Sequence, residues 1–379
     1  MAYLANGAVN RVNVHYAIQA FASAGAGTFL LVYFVKAGLS TTESLLVLAL
    51  IVLGRFVSRP LVLPVAKRFG LKSTLIIGTL LLAAQYPVSG FIDGVSVALV
   101  LRCVFSAVGD AFYWTSYHAY FASLGDAEYR GHQIGAREAI VAMIGIVAPV
   151  IGTWGLITFG PLVTFTAAGC VQALAVVPLL AAPAVSVKQH APGAFVQAFG
   201  GARIFAVHGW FTGAFVLVWW FALFLALDKS YVSFGGAMTL AAIAGAAGGL
   251  LLGRGIDAGH GARAVVFVLA LMAAAILLRG LSLDTPAVAV AANVFGVFAM
   301  CFYVPTLMTA VYNLAKASPC PLRFHMATES GWDAGCFSVC VIAAVFAYAD
   351  VSLGLAVLLA LPAVAAMGFM LRRHYAAAV

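Results

Sequence analysis

Apolar residues occur along this sequence in twelve long, continuous runs, separated by short polar segments. Each run is close to the roughly 20 residues that a helix needs to cross the hydrocarbon core of a bilayer. Because the runs are continuous rather than alternating, they predict membrane-spanning helices and exclude the strands of a membrane β-barrel. The predicted spans are 12–35, 42–62, 73–92, 96–122, 136–159, 162–182, 203–227, 235–253, 264–281, 287–315, 325–348 and 353–371.

Composition supports the same fold class. Hydrophobic residues make up 64% of the chain and charged residues only 8%, whereas soluble domains carry about a quarter charged residues. The sequence therefore predicts an all-α polytopic membrane protein, with the lipid bilayer as its main surroundings.

The distribution of Lys and Arg predicts the orientation of the chain. Of the 20 Lys and Arg residues, Lys36, Lys229 and Arg279 fall on one side of the predicted spans, and Arg55 and Arg102 fall within spans. The other fifteen lie on the opposite side, which the positive-inside rule assigns to the cytoplasm. Both termini are then cytoplasmic, and we expect the plasma (inner) membrane. The net charge of +8 is spread over separate loops, so it indicates topology signals rather than a nucleic-acid partner.

The sequence contains an internal repeat. The segments RGHQIGARE and RFHMATE begin at Arg130 and Arg323, 193 positions apart, and spans one and seven begin 191 apart. An even number of spans in each half places both halves the same way up, as in many secondary transporters. The predicted domains are an N-terminal half at 1–182, a cytoplasmic linker at 183–202 and a C-terminal half at 203–379.

Three motifs resemble those of the major facilitator superfamily. The loop LPVAKRFGLK (63–72) follows span two, the phrase EYRG (128–131) follows span four, and GIVAPVIGT (145–153) lies in span five. The family's loop motif is G-x-L-a-D-R-x-G-R-R, in which the acid is replaced here by Lys67. The positions that match the three motifs are Arg68, Gly70, Lys72, Glu128, Arg130, Gly131, Gly145, Pro149 and Gly152.

The resemblance implies a fold and an activity. The fold would be twelve helices in two pseudo-symmetric six-helix bundles, with the first, fourth, seventh and tenth lining a central cavity. The activity would be gradient-driven, proton-coupled transport of a small organic solute by alternating access, with efflux by antiport favoured by the span-five motif. The chain has no G-x-x-x-x-G-K-[ST] loop for ATP. We expect a monomer that is not an enzyme and needs no cofactor or metal.

Besides a sensor that keeps the carrier fold without transport, which only the altered loop at Lys67 suggests, two other functions stay open at this point. One is uptake by symport of an anionic solute, held by Arg102 and Arg55. The other is an integral membrane enzyme acting on lipid, which would need a polar catalytic cluster at one face. The even spread of polar groups over repeat-related loops argues against the enzyme.

Ionisable residues inside membrane spans are costly and are therefore candidates for function. In span four these are Asp110 and Arg102, and in span eleven Glu329 and Asp333, which lie one helical turn apart. We predict that they take part in proton coupling. The alternatives are a permanent structural contact for Asp110 and Arg102, and a solvated helix start for the other two.

Further polar and aromatic residues in the spans are candidates for the cavity lining. The alternatives are arginines that reach the membrane interface and aromatic rings at span ends. These candidates are Arg55, Gln19, Tyr113, Trp114, Tyr117, Trp219, Trp220 and Tyr303.

The polar loops on the cytoplasmic side could form a gating network. A charge pair at helix ends stabilises only the conformation that brings those ends together. The alternative is that these are solvated loop charges, worth less than about 1 kcal/mol each. The candidates are Lys67, Arg68, Glu128, Arg130, Glu138, Asp257 and Arg323.

Overall fold

A computed structural model describes residues 6–125, 130–252 and 261–376 of the chain. Within these ranges all regular secondary structure is helical, as predicted. Twelve helices follow one another: α1 (Gly7–Lys36), α2 (Thr41–Ser58), α3 (Val62–Ser89), α4 (Val97–Leu124), α5 (Arg130–Thr158), α6 (Gly160–Leu180), α7 (Phe199–Ala226), α8 (Tyr231–Leu252), α9 (Gly261–Gly280), α10 (Pro286–Ala317), α11 (Pro321–Tyr348) and α12 (Leu353–Arg373).

These helices confirm the twelve predicted spans. All except α9 belong to segments long and apolar enough to cross a membrane, with α2 and α3 together forming one segment of 49 residues. The apolar part of α9 is shorter, at Val265–Gly280. The prediction of an all-α membrane protein with twelve spans is therefore confirmed.

Local signals in the sequence start several of these helices. At α2, the Ser40 hydroxyl accepts a hydrogen bond from the Glu43 N–H (3.2 Å), and the Glu43 carboxylate accepts one from the Ser40 N–H (2.7 Å). This capping box satisfies backbone donors that a helix start leaves free. Proline occupies the first turn of α10 and α11, where its missing N–H removes no helical hydrogen bond.

The connection between α2 and α3 differs from the predicted loop at 63–72. A 3-10 turn at Arg59–Leu61 leads directly into α3, so most of the predicted loop is helical. The helix is interrupted at Gly70, where φ is 80° and ψ is 168°. This backbone conformation favours glycine because a side chain would be strained there.

Two helices contain a π-helical segment at corresponding places. Ser23–Gly27 interrupts α1 and Gly213–Val218 interrupts α7, and the two segments begin 190 positions apart. This offset is close to that of the sequence repeat. Segments of this kind are frequent at functional sites.

Glycines bring other helices close to these two. A Cβ atom at Gly152 of α5 would overlap the carbonyl oxygen of Gly25 in α1, and one at Gly335 of α11 would overlap that of Ala206 in α7. The span-five motif therefore holds α5 directly against the π-helical segment of α1.

The residues after α6 pack across one end of the helix bundle. The Val185 carbonyl accepts a hydrogen bond from the Leu71 N–H (2.9 Å), and the Pro183 carbonyl accepts one from the Tyr120 hydroxyl (2.5 Å). The Arg323 guanidinium donates to the carbonyls of Lys188 and Gln189, both at 3.0 Å. We call this end of the bundle the linker face.

Candidate functional site

A cavity of about 220 Å³ lies between the first six and the last six helices. Helices α1 to α4 and α6 supply most of its lining, and α7 and α11 contribute Leu217, Trp220 and Trp332. The charged and amide side chains that line it are Gln19, Arg55, Gln85, Arg102, Asp110 and Gln172. The polar chemistry of the cavity thus comes from the first half of the sequence.

Asp110 presents its carboxylate to this cavity and is held by neutral donors. Its Oδ1 accepts a hydrogen bond from Trp114 Nε1 (3.1 Å), and Ser106 Oγ lies 3.5 Å from its Oδ2. Both partners are four residues away on α4, the spacing that places side chains on one helix face. No described Lys or Arg side chain lies within 4.0 Å of this carboxylate.

Arg102 lies on the same helix, eight residues before Asp110, which corresponds to about 12 Å along the axis. It is only 5% exposed, and its guanidinium lies over the Phe34 ring, 5.1 Å from the ring centre. Its Nε and Nη1 have no hydrogen-bond partner among the described residues. The direct Asp110–Arg102 contact considered from the sequence does not form.

Four charged side chains meet between α2 and α11 and form a charge cluster: Arg55, Arg59, Glu329 and Asp333. Arg55 Nη2 lies 3.3 Å from Glu329 Oε2, and Arg55 Nε lies 3.1 Å from Asp333 Oδ1. Arg59 Nη2 donates to Asp333 Oδ2, and Arg59 Nη1 donates to the Thr115 hydroxyl at 2.5 Å. The four side chains are 0–9% exposed.

The placement of Arg59 corrects the sequence analysis, which counted this residue among the cytoplasmic loop charges. Arg59 follows Arg55 by four residues, and the 3-10 turn that ends α2 keeps both on the face that meets α11. Two cations thus face two acids, which are also four residues apart. A buried charge is tolerated when such partners are present.

His118 extends this cluster to α10. Its Nε2 lies 3.6 Å from Glu329 Oε1, its Nδ1 lies 2.8 Å from the Tyr312 hydroxyl, and its ring stacks on His325 with 5.4 Å between ring centres. Glu329 and Asp333 are the other two predicted proton-coupling residues. Both are buried in this cluster, and neither lines the cavity.

Arg55 links the charge cluster to the cavity. Its guanidinium lies 4.6 Å from the centre of the Trp332 ring, and both side chains line the cavity. The solute cavity and the contact between α2 and α11 therefore share one side chain.

The aromatic candidates divide into two groups. Trp114 and Trp220 line the cavity together with Gln19, whereas the other four are fully buried in contacts between helices. Tyr113 and Tyr117 stack on each other, with 5.9 Å between ring centres.

Trp219 donates from Nε1 to the Asn293 side chain (3.0 Å), and the Tyr303 hydroxyl lies 3.2 Å from His208 Nδ1. The polar atoms of both residues are thus bonded to other helices, and neither residue lines the cavity.

The predicted gating residues are only partly within the described structure. Glu128 and Asp257 lie outside the described residues, and for Arg130 and Glu138 only the helical backbone of α5 is described. No described carboxylate lies within 4.0 Å of the other three, Lys67, Arg68 and Arg323.

Those three residues have other contacts. The Lys67 carbonyl accepts a hydrogen bond from Gln189 Nε2 (3.1 Å), and the Arg68 guanidinium lies 5.2 Å from the centre of the Phe69 ring. Arg323 donates to linker carbonyls instead of to acids. At this face the described contacts between loops are made by the linker.

Sequence reasoning missed Arg59, Gln85, Gln172 and Trp332 as members of the site. A signal for Arg59 was present, because the pairs Arg55/Arg59 and Glu329/Asp333 share the same spacing of four. The two glutamines carry no such signal, since their orientation depends on how α3 and α6 pack.

Twelve apolar helices, with a polar cavity between the first six and the last six and a buried charge cluster beside it, are typical of a polytopic membrane protein of the secondary-transporter class. The chain belongs to the Major Facilitator Superfamily, whose family model matches residues 14–319. The resemblance found in the sequence is thereby confirmed.

Solved transporters share this fold at low sequence identity. The human organic anion transporter MFSD10 (TETRAN) is 14% identical, with a TM-score of 0.69 over 96% of this chain and 99% of that chain. The fucose:proton symporter FucP of E. coli gives the same identity and TM-score, over 97% and 98%. A structure of FucP in the outward conformation also matches at 14% and 0.69, over 97% and 99%. No curated protein matches this sequence.

Proposed function

We propose that this protein is a proton-coupled secondary transporter of a small organic solute, working by alternating access, with Asp110 as the group that carries the proton. The observation that supports this most directly is the position of the Asp110 carboxylate. It lines the solute cavity, it is held by neutral donors, and it shares that cavity with Arg55 of the charge cluster.

The charge on Asp110 would control the contact between α2 and α11. When Asp110 is protonated, it does not attract Arg55 away from Glu329 and Asp333. When Asp110 loses its proton, its negative charge attracts Arg55 towards the cavity and weakens those pairs. A ligand shifts a conformational equilibrium by binding one state better than the other, and the proton acts as such a ligand here.

Opening and closing would occur between the two halves, 1–182 and 203–379, with the segment 183–202 joining them. We place the linker face in the cytoplasm because the excess of Lys and Arg lies in that set of loops. The proton would then enter from the opposite side and leave to the cytoplasm, which drives uptake by symport or efflux by antiport. A monomer is sufficient for this cycle.

Direction and coupling can be measured in one experiment. Right-side-out and everted vesicles containing the protein are given a pH gradient, and a panel of small organic solutes is screened for movement. Symport predicts accumulation on the side that receives protons, whereas efflux by antiport predicts accumulation on the side that supplies them.

Asp110→Asn tests the assigned role of the carboxyl group. We expect gradient-driven accumulation to be lost while solute exchange without a gradient continues. Asp284→Asn, which changes an exposed acid outside the cavity, should accumulate solute like the wild type. Accumulation by the Asp110→Asn protein at the wild-type level would rule out this role.

A further inference from the structure

We propose that the transported solute carries a single carboxylate, and that Arg102 binds it. This inference rests on the proposed function, because it concerns the same cavity. Three observations carry it: the state of the Arg102 guanidinium, the amide side chains of the same cavity lining and the aromatic residues of that lining.

Arg102 is a buried cation without a partner acid in the described structure. The other arginine of the cavity, Arg55, is engaged with Glu329 and Asp333, whereas Nε and Nη1 of Arg102 have no hydrogen-bond partner among the described residues. At 5% exposure, such a charge is costly unless an anion pairs with it. A guanidinium presents parallel N–H donors that match a carboxylate.

Neutral amides in the same lining supply additional polar atoms. Gln172 is 1% exposed, and both its Nε2 and its Oε1 have no described hydrogen-bond partner. Gln85 is 7% exposed and also lines the cavity. Buried polar atoms are normally hydrogen-bonded, so these side chains are suited to the polar atoms of a solute.

Part of the cavity lining is aromatic. Trp114, Trp220 and Trp332 lie in its lining, and they favour an apolar or planar solute body. The volume of about 220 Å³ is below the lower limit of about 300 Å³ for typical sites that take drug-sized ligands. This favours a solute with few heavy atoms.

The acidic residue of the cavity, Asp110, favours a monoanion. Asp110 lies about 12 Å from Arg102 along α4, so a dianion long enough to reach it would meet a like charge. A single carboxylate at Arg102 leaves Asp110 free to take its proton. This favours a monocarboxylate over an extended dicarboxylate as the bound anion.

Binding to the purified protein in detergent tests the inference without requiring transport. The probes are small carboxylates, each compared with its neutral amide, and the first pair is benzoate and benzamide. Inorganic phosphate and sulfate are tested in the same way. We expect at least one carboxylate to raise the unfolding temperature while its amide does not. Arg102→Gln should weaken that carboxylate's binding by about 10- to 100-fold, as expected for hydrogen bonds to a charged group.

Matched variants separate charge from folding. Arg102→Lys retains the positive charge and should recover part of the affinity. Arg372→Gln removes an exposed arginine at the end of α12 and should bind like the wild type. If Arg102→Gln does not fold, Gln172→Leu provides a second variant, for which weaker carboxylate binding is expected.

Several results would overturn the inference: no carboxylate binding better than its amide, equal binding by the Arg102→Gln protein, or phosphate or sulfate binding more tightly than every carboxylate. The proposed function fails separately. If Asp110→Asn retains proton-driven accumulation while Arg102→Gln loses carboxylate binding, the site stands and the coupling role of Asp110 does not. If instead Asp110→Asn loses proton-driven accumulation while Arg102→Gln keeps carboxylate binding, the carboxylate site is ruled out and the coupling role of Asp110 stands.

Discussion

Among the single residues, Arg59 best shows how burial changes the value of a charge. On the surface an ion pair contributes at most about 1 kcal/mol, whereas removing one partner of a buried pair leaves an uncompensated charge and costs about 3–5 kcal/mol. Arg59 is 1% exposed and Asp333 is fully buried. This pair therefore belongs to the second case.

A double-mutant cycle tests this assignment. Arg59→Met should destabilise the protein by about 3–5 kcal/mol, because Asp333 loses one of its two cations. Arg59→Met combined with Asp333→Leu should cost less than the single change, because no buried charge is then left without its partner. Denaturant unfolding in mixed micelles measures both values, with Arg372→Met as the control for loss of an arginine. If the Arg59→Met protein were as stable as the wild type, the Arg59 side chain would have to be solvated rather than part of a buried ion pair.

At the level of the helices, close packing depends on small residues at a few positions. Gly152 of α5 lies against the backbone of the π-helical segment in α1, and Gly335 of α11 lies against the backbone of α7. Helix association in membranes depends on such close contacts, because lipid provides no hydrophobic driving force between helices. The same arrangement in both halves supports the duplication inferred from the sequence.

Alanine substitutions at two glycines separate packing from helix propensity. Gly152→Ala should lower stability by about 1–3 kcal/mol, because the new methyl group would overlap the Gly25 carbonyl. Gly236→Ala changes an exposed glycine of α8 whose added Cβ would meet no atom within 4 Å. That change should be neutral or stabilise by up to about 1 kcal/mol. Thermal unfolding of both variants in one detergent gives the comparison, and equal behaviour would contradict the packing role.

For the whole molecule, the charge cluster and the linker act at the same end. The cluster joins α2 to α11, and Arg323, at the start of α11, donates a hydrogen bond to the carbonyl of Lys188 in the linker. In the proposed cycle of alternating access, these contacts break when the linker face opens. A contact made in only one state stabilises that state, so its loss should shift the balance towards the open one.

Native Cys320 reports on that opening. It is 3% exposed and lies just before α11. The measurement uses a protein whose other five cysteines are replaced by alanine and whose folding is checked first. Asp333→Asn should increase the rate of Cys320 alkylation about fivefold or more, in the range of typical conformational coupling energies. Asp284→Asn serves as the control, because it changes an exposed acid in the same way. Unchanged alkylation in the Asp333→Asn protein would show that the cluster does not hold this face closed.

The limits of sequence reasoning are clear from individual residues. Trp114 and Trp220 were expected in the cavity and line it, while Trp219, next to Trp220, bonds Asn293 instead. Neighbouring residues on a helix point about 100° apart, so which one faces the cavity depends on the rotation of the helix. Hydrophobicity does not fix that rotation in α7, because nearly all of its faces are apolar.

The sequence by itself determined the twelve helices, their membrane environment and the internal repeat, because the length and continuity of an apolar run are local properties. It also located the acids of the membrane spans, Asp110, Glu329 and Asp333. Only the tertiary structure decided that Arg55 and Arg59 meet Glu329 and Asp333, each pair 274 positions apart. It also decided that no acid of the described residues lies within 4.0 Å of Arg102. The physical reason is that burial makes an unpaired charge costly, but helix packing decides whether a partner comes within reach and which one it is.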